Sequence, residues 1–219
     1  FLRGGFRLIE LGNVSFRYSS SQEGTLKNIN LKIKEGELVL LTGKSGCGKT
    51  TITRLLNGLI PNFFEGELSG EVMINGQNIR KLKIHQVSDM VGSVFQDPRS
   101  QFFTTNTTSK IAFACENAAM PPDKIADRIV QTCCDLNMKG LLDKDIFTLS
   151  SGEKQSVAIA SVYAFAPKVF VLDEPSANLD EQATEILRQI LVTLKHNGCT
   201  IVLSEHRIHY LRDLVDTAV

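Results

Sequence analysis

Gly43-Lys44-Ser45-Gly46-Cys47-Gly48-Lys49-Thr50 is the stretch whose reading decides the fold. Glycines at 43 and 48, followed at once by Lys and Thr, match the phosphate-binding loop pattern. Upstream, Glu37-Leu-Val-Leu-Leu41 has the length and composition of a fully buried strand. Downstream, Ile52, Leu55, Leu56 and Leu59 recur at helical spacing, so a helix begins near Lys49 and buries that face. Joined in this way to strand and helix, the loop has a mechanism. Its glycines let successive N–H groups turn inward, and the helix N-terminus adds partial positive charge, so a polyphosphate fits. Lys49 would reach the β- and γ-phosphates, and the Thr50 hydroxyl would be a ligand to Mg²⁺. The alternative is a glycine-rich turn that binds nothing.

Length and composition bound the rest. A chain of 219 residues holds one large domain or a core with a subdomain. Its 24 basic and 24 acidic residues cancel, which gives no electrostatic reason to expect nucleic acid or an anionic membrane surface as ligand. No apolar run approaches the roughly 20 residues of a membrane helix, so direct insertion into a bilayer is not expected. Five cysteines without CxxC spacing suit reduced thiols better than a disulfide framework or a zinc site. The start at Phe1 and the strand-like Asp216-Thr-Ala-Val219 read as a piece of a longer polypeptide.

Along the chain, Val14, Phe16 and Tyr18 alternate, as do Ile29, Leu31 and Ile33, which predicts half-buried antiparallel strands before the phosphate loop. Residues 19–24 read as a polar loop, and residues 61–70 as irregular. A strand then runs into a hairpin turn at Asn75-Gly76, and Val91-Gly-Ser-Val-Phe95 is another strand, ending before Pro98. From 104 to 149 the pattern is helical, with Ile125, Ile129, Val130 and Leu136 as a buried stripe. Leu149-Ser-Ser-Gly-Glu-Lys-Gln155 opens a further helix, and the apolar strand Val169-Phe-Val-Leu172 ends in Asp173-Glu174. Two carboxylates there favour a cation or a catalytic task over a plain acidic turn. A helix over 180–197 with Ile186, Leu187, Ile190, Leu191 and Leu194 inward precedes the strand Thr200-Ile-Val-Leu203 and then His206. Strands separated by helices predict a mainly parallel α/β sheet, with Gly43, Gln96, Asp173 and His206 gathered at its carboxyl edge.

Taken together these motifs resemble an ATP-binding cassette ATPase. Walker A is 43–50, the Q-loop residue Gln96, the signature Leu149 to Gln155, the Walker B end Asp173-Glu174, the D-loop Ser176-Ala-Asn-Leu-Asp180 and the switch residue His206. The resemblance implies a P-loop core at 1–100 with an antiparallel β layer, a helical subdomain at 101–149, and a second part of the core at 150–219. It implies ATP and Mg²⁺ as cofactors, with Thr50, Gln96 and Asp173 on the metal. Glu174 would polarise the attacking water, His206 would contact the γ-phosphate, and Gln96 and Lys49 complete the catalytic set. Gly43, Lys44, Ser45, Gly46, Cys47, Gly48, Lys49, Thr50 and Thr51 would cradle the phosphates. Tyr18 either stacks on adenine or simply packs in the β layer. Ser150, Ser151, Gly152 and Glu153 would act in trans on ATP of an opposing domain, so two domains would close head to tail. Two positions depart from the pattern: Ser151 replaces a signature glycine, and Ser156 stands where a basic residue is usual; a working but slower site is implied.

The finer resemblance is to energy-coupling-factor importers, similar to cobalt-type subunits, through Asn57-Gly-Leu-Ile-Pro61, Glu65-Gly-Glu-Leu-Ser-Gly70, Val94-Phe-Gln-Asp-Pro98 with Gln101-Phe102, and Ser204-Glu-His-Arg207. The implied partners are a second cassette, identical or a tandem paralogue, and a transmembrane subunit, at the cytoplasmic face of the membrane. Two alternatives remain: a soluble mechanical cassette acting on ribosome or nucleic acid, and a nucleotide-gated dimerising module with little turnover.

Overall fold

In the computed structural model, residues 7–19 and 26–219 are described; most of the polar loop expected at 19–24 lies outside them. The first part of the chain runs β1 (Arg7–Tyr18), β2 (Leu26–Lys34), β3 (Leu38–Leu41), α1 (Lys49–Leu56), α2 (Leu59–Asn62), β4 (Gly66–Ile74), β5 (Gln77–Asn78), α3 (Ile84–Ser88) and β6 (Val91–Val94). It continues through α4 (Thr107–Asn117), α5 (Pro122–Asp135), α6 (Ser151–Tyr163), β7 (Val169–Asp173), α7 (Glu181–His196), β8 (Thr200–Ser204) and β9 (Thr217–Ala218).

The alternating segments form an antiparallel sheet in the order β2-β1-β4-β5. Alternation buries one face: Ile9, Leu11, Val14 and Phe16 of β1 meet Ile33, Val72 and Ile74 in a core shared with α1. Residues 66–70 are not irregular. They lengthen β4, pairing Ser69 with Ser15 and Gly66 with Tyr18. The local pattern hid this because Glu67, Ser69 and Gly70 carry no apolar signal; the hydrogen bonds come from a partner strand about fifty residues away. The Asn75-Gly76 turn holds, with φ of 49° and 73° at its two residues.

Short strands, mostly apolar and buried except for the exposed edge strand β9, make the second sheet, all parallel, in the order β6-β7-β8-β3-β9. Burial on both faces is why β3, β6, β7 and β8 read as continuous apolar runs rather than alternating ones. Helix α6 lies so close to β6 that a Cβ on Gly92 would stand 2.1 Å from Val162 Cγ1. The helix expected to include Leu59 stops at Leu56, because Gly58 turns left-handed (φ 74°) and starts α2.

Two stripe assignments need correction. Val130 is 60% exposed, and α5 turns Thr132 and Cys133 inward with the partly buried Ile125 and Ile129. On α7, Ile186 is 44% exposed while Leu187, Ile190, Leu191 and Leu194 are buried. Both outliers sit one position beside the stripe, where the packed face has already turned to solvent. The helices α4 and α5 share one apolar core with α6 and α7, Ile111, Cys115 and Cys133 lying with Val157, Ile159 and Leu187.

Lys110, in the first turn of α4, is only 6% exposed. Its Nζ lies 5.9, 5.9 and 5.6 Å from the rings of Phe102, Phe103 and Phe113. Burial pulls its pKa from the ordinary 10.5 down to about 8. The folded state therefore gives up this proton before the unfolded chain does. The penalty for the buried cation is complete below about pH 8 and fades as pH rises towards 10.5. Aromatic faces return part of it. Lys110→Met is expected to stabilise the fold by about 1–3 kcal/mol at pH 7 and by much less near pH 10.5. Urea unfolding at both pH values checks this, and an equal effect at the two would count against it.

Candidate functional site

Four adjacent parallel strands deliver polar residues to one edge: Gln96 follows β6, Asp173 ends β7, His206 follows β8 and the phosphate loop follows β3. The loop bends through positive φ at Gly43 (134°), Gly46 (79°) and Gly48 (105°). Gly48 is the N-cap of α1, with no side-chain cap and no acid in the first turn. The N–H groups of Lys49, Thr50 and Thr51 thus have no intrahelical acceptor, and the positive end of the helix faces outward. Lys49 is 7% exposed. Its ammonium donates to Gly43 O (3.0 Å) and Lys44 O (3.2 Å), with Cys47 Sγ at 4.0 Å. Carbonyls orient the cation without neutralising it. A cavity of about 140 Å³ results, lined by Ser45, Gly46, Gly48, Lys49, Thr50, Thr51, Glu174 and His206.

Thr50 Oγ1, on that cavity's lining, lies 3.5 Å from Asp173 Oδ1, at the limit of a hydrogen bond. Cis ligands of a small hard cation with bonds of about 2.0–2.1 Å stand about 2.9 Å apart, so a shift of about half an ångström would bring both oxygens onto one ion. Among the described residues there is no cluster of three or more His, Cys, Asp or Glu able to hold a metal. An ion here would therefore take its remaining ligands from phosphate and water, as Mg²⁺ does. Gln96 enters the set through Glu174, its Nε2 donating to Glu174 Oε2 at 3.3 Å. The other oxygen of Glu174 lies 3.2 Å from His206 Nε2.

Glu174 sits at φ 46°, a left-handed conformation that is uncommon and costly for this residue type. The turn carries its carboxylate back across the strand ends, between Gln96 and His206. Its N–H is held by Ser204 O at 2.9 Å, so β7 and β8 fix the strained residue together.

Tyr18 has packing and hydrogen-bond partners within the protein. Its ring meets Phe16 edge-on at 4.7 Å within the β layer. Its hydroxyl reaches α1, lying 3.4 Å from Thr51 Oγ1 and accepting from Arg54 Nη1 at 3.0 Å. Arg54 carries no motif in the sequence, yet it completes this corner with Phe64, the guanidinium lying 4.1 Å from the Phe64 ring centroid. Only the helical phase of Arg54, half-buried beside the buried Thr51 and Leu55, could have suggested it.

The signature residues stand apart. None of Ser150, Ser151, Gly152 and Glu153 lines the phosphate-loop cavity. Ser150 caps α6, accepting from Glu153 N (3.3 Å), while the Glu153 carboxylate accepts from Ser150 N (2.9 Å). Those bonds hold the Glu153 pKa below the usual carboxylate range. Exposed Ser151 lines a second cavity of about 470 Å³ with Gln96, Arg99, Lys154, Pro175 and Asn178. Gly152 has a packing reason as well, since a Cβ there would lie 2.6 Å from Ala183 Cβ. Ser156 is buried, and its hydroxyl is used within the helix, donating to Gly152 O at 2.9 Å.

A family model described as ABC transporter matches residues 26–177, well over half of the chain. The chain belongs to the ABC transporter family. It is one of the family's ATP-binding ATPase domains. A putative ABC transporter ATP-binding protein of Treponema denticola is 51% identical over 212 residues, covering 97% of this cassette and 43% of that protein. A second protein of the same description from that organism is 44% identical over the same length, again 43% of it. The cassette thus spans less than half the length of these curated relatives. Among solved structures, cbiO1 from Clostridium perfringens, part of the ABC transporter complex cbiONQ, superposes with a TM-score of 0.85 at 30% identity. That likeness covers 96% of this chain and 82% of the other.

Proposed function

We propose that this cassette binds and hydrolyses ATP with Mg²⁺ and powers import through a membrane transporter of the energy-coupling-factor type. The likeness to cbiO1 carries the reading, since that protein is part of a transporter complex and aligns over nearly the whole cassette. The α1 N-terminus and Lys49 would hold the β- and γ-phosphate oxygens, with Gly43 to Thr51 closing round them and Tyr18 beside the base. Thr50 and Asp173, with Gln96, would hold a Mg²⁺ ion that neutralises charge developing on the transferred phosphoryl group. Glu174 would orient and deprotonate the attacking water, and His206 would hold the carboxylate and the γ-phosphate in place.

In this reading the domain works as one of a pair. Ser150, Ser151 and the Gly152 N–H lie away from their own phosphate loop, as a contact made in trans requires. Closure over two ATP molecules and release after hydrolysis would be the power stroke. Residues 1–100 and 150–219 would act as the nucleotide core and 101–149 as the helical subdomain that meets the membrane subunit. An apolar groove of about 280 Å³ between β6, α4 and α6, lined by Val91, Phe95, Ala114, Val162 and Phe165, is the seat we assign to a coupling helix. No described helix is long and apolar enough to cross a membrane; the place we assign the cassette is peripheral, on that subunit at the cytoplasmic face.

Affinity purification of the full-length protein from detergent-solubilised membranes is expected to bring down a polytopic subunit in stable proportion. Recovery in the soluble fraction with ribosome or nucleic acid, and with no membrane partner, would overturn the importer reading and leave the ATPase intact.

A further inference from the structure

Glu205 is 1% exposed, and its carboxylate collects four donors from two loops. Oε1 accepts from the N–H groups of His206 (2.8 Å) and Arg207 (3.1 Å). Oε2 accepts from Ser176 N (3.3 Å) and from Tyr210 OH (3.0 Å). Burial, the Glu205 charge and this hydrogen bond all push the Tyr210 pKa up, so its hydroxyl stays a donor. Arg207 makes the return link, with Nη1 donating to Ser176 O (3.3 Å) and Leu179 O (2.8 Å). The Glu205 N–H is bonded to Leu41 O, on the strand that leads into the phosphate loop, at 3.2 Å.

Only an ionised carboxylate offers acceptors to all four donors; a carboxamide of the same shape would turn its NH₂ towards one pair of them. The segment 176–179 is thus held at an N–H by Glu205 and at two carbonyls by Arg207. His206 lies between these two residues in sequence, with Nε2 on Glu174. At the other end, Pro175, Asn178 and Leu179 line the wall of the cavity that Ser151 and Lys154 of the signature helix share.

We propose that Glu205 and Arg207 are positioning residues that lock the His206 loop to the 176–179 loop as one unit. A shift of His206 at the nucleotide then moves the wall beside the signature. The clamp rests on the assignment of Glu174 and His206 to the nucleotide site.

The test is steady-state hydrolysis and equilibrium ATP binding by the full-length protein carrying Arg207→Ala, Glu205→Gln or both. Each single change is expected to lower kcat by about tenfold or more while ATP affinity stays within about threefold. The double variant should lose no more than the worse single, because both break one connection. Wild-type kcat in Arg207→Ala, losses that multiply, or affinity that falls in step with kcat would each overturn the clamp. Should Glu205→Gln fail to fold, Arg207→Ala decides alone through its kcat and affinity. Full turnover in Glu174→Gln would instead remove the site assignment beneath it.

Discussion

Glu174→Gln is expected to keep ATP binding within a few-fold of wild type and to cut turnover by roughly 10²–10⁴, the range that a positioned general base supplies. The substitution keeps shape and removes only basicity and charge. Binding should survive because, in the proposed reading, the phosphate contacts are made by the loop, α1 and His206 rather than by Glu174. Turnover should not, because the carboxylate sits at a strained φ of 46° between Gln96 (3.3 Å) and His206 (3.2 Å). Backbone strain fixed by the neighbouring strand is a cost the fold retains for placement, and an amide in that place cannot take a proton from water. Phosphate release measured beside equilibrium nucleotide binding separates the two effects. The trapped variant should also pair more readily, seen as an ATP-dependent dimer in light scattering. Turnover equal to wild type would remove Glu174 from its role.

Lys49→Ala is expected to weaken ATP binding by about 10–100-fold, since charge-assisted hydrogen bonds contribute about 1.5–3 kcal/mol and the ammonium can make several to phosphate oxygens. Lys49 is nearly buried and already oriented by Gly43 O and Lys44 O, so little ordering remains to be done when phosphate arrives. The loss should grow with the number of phosphates. Calorimetry with ATP, ADP and AMP would show the largest ratio for ATP and almost none for AMP, which lacks the β- and γ-groups. Unchanged ATP affinity in a folded variant would detach the loop from phosphate binding altogether.

Much of this site was legible because its signals are local. A glycine-rich loop between an apolar strand and an amphipathic helix states its own backbone geometry, and positive φ at Gly43, Gly46 and Gly48 follows from it. The acids after Val169-Phe-Val-Leu172 announced themselves by being costly to bury where they stand. Other features had no local signal. Glu205 reads as one polar residue among Ser204, His206 and Arg207, and only its 1% exposure reveals a junction. Lys110 reads as a surface lysine on a helix, and the three rings around it come from positions 102, 103 and 113. Val130 and Ile186 were placed inward by composition, although one helical step carries each past the packed face.

By itself, the chain determined the apolar strands and the longer helices of the parallel sheet layer, the glycine-rich loop between β3 and α1, and which residues follow which apolar run. Periodicity and backbone freedom are properties of neighbours along the chain, so they can be read without the fold. Tertiary structure decided the strand order β6-β7-β8-β3-β9, the pairing of residues 66–70 with β1, and the meeting of Glu205 and Arg207 with the 176–179 loop. Those depend on contacts between segments far apart in sequence, where a hydrogen bond forms only after the intervening chain has folded and closed the distance.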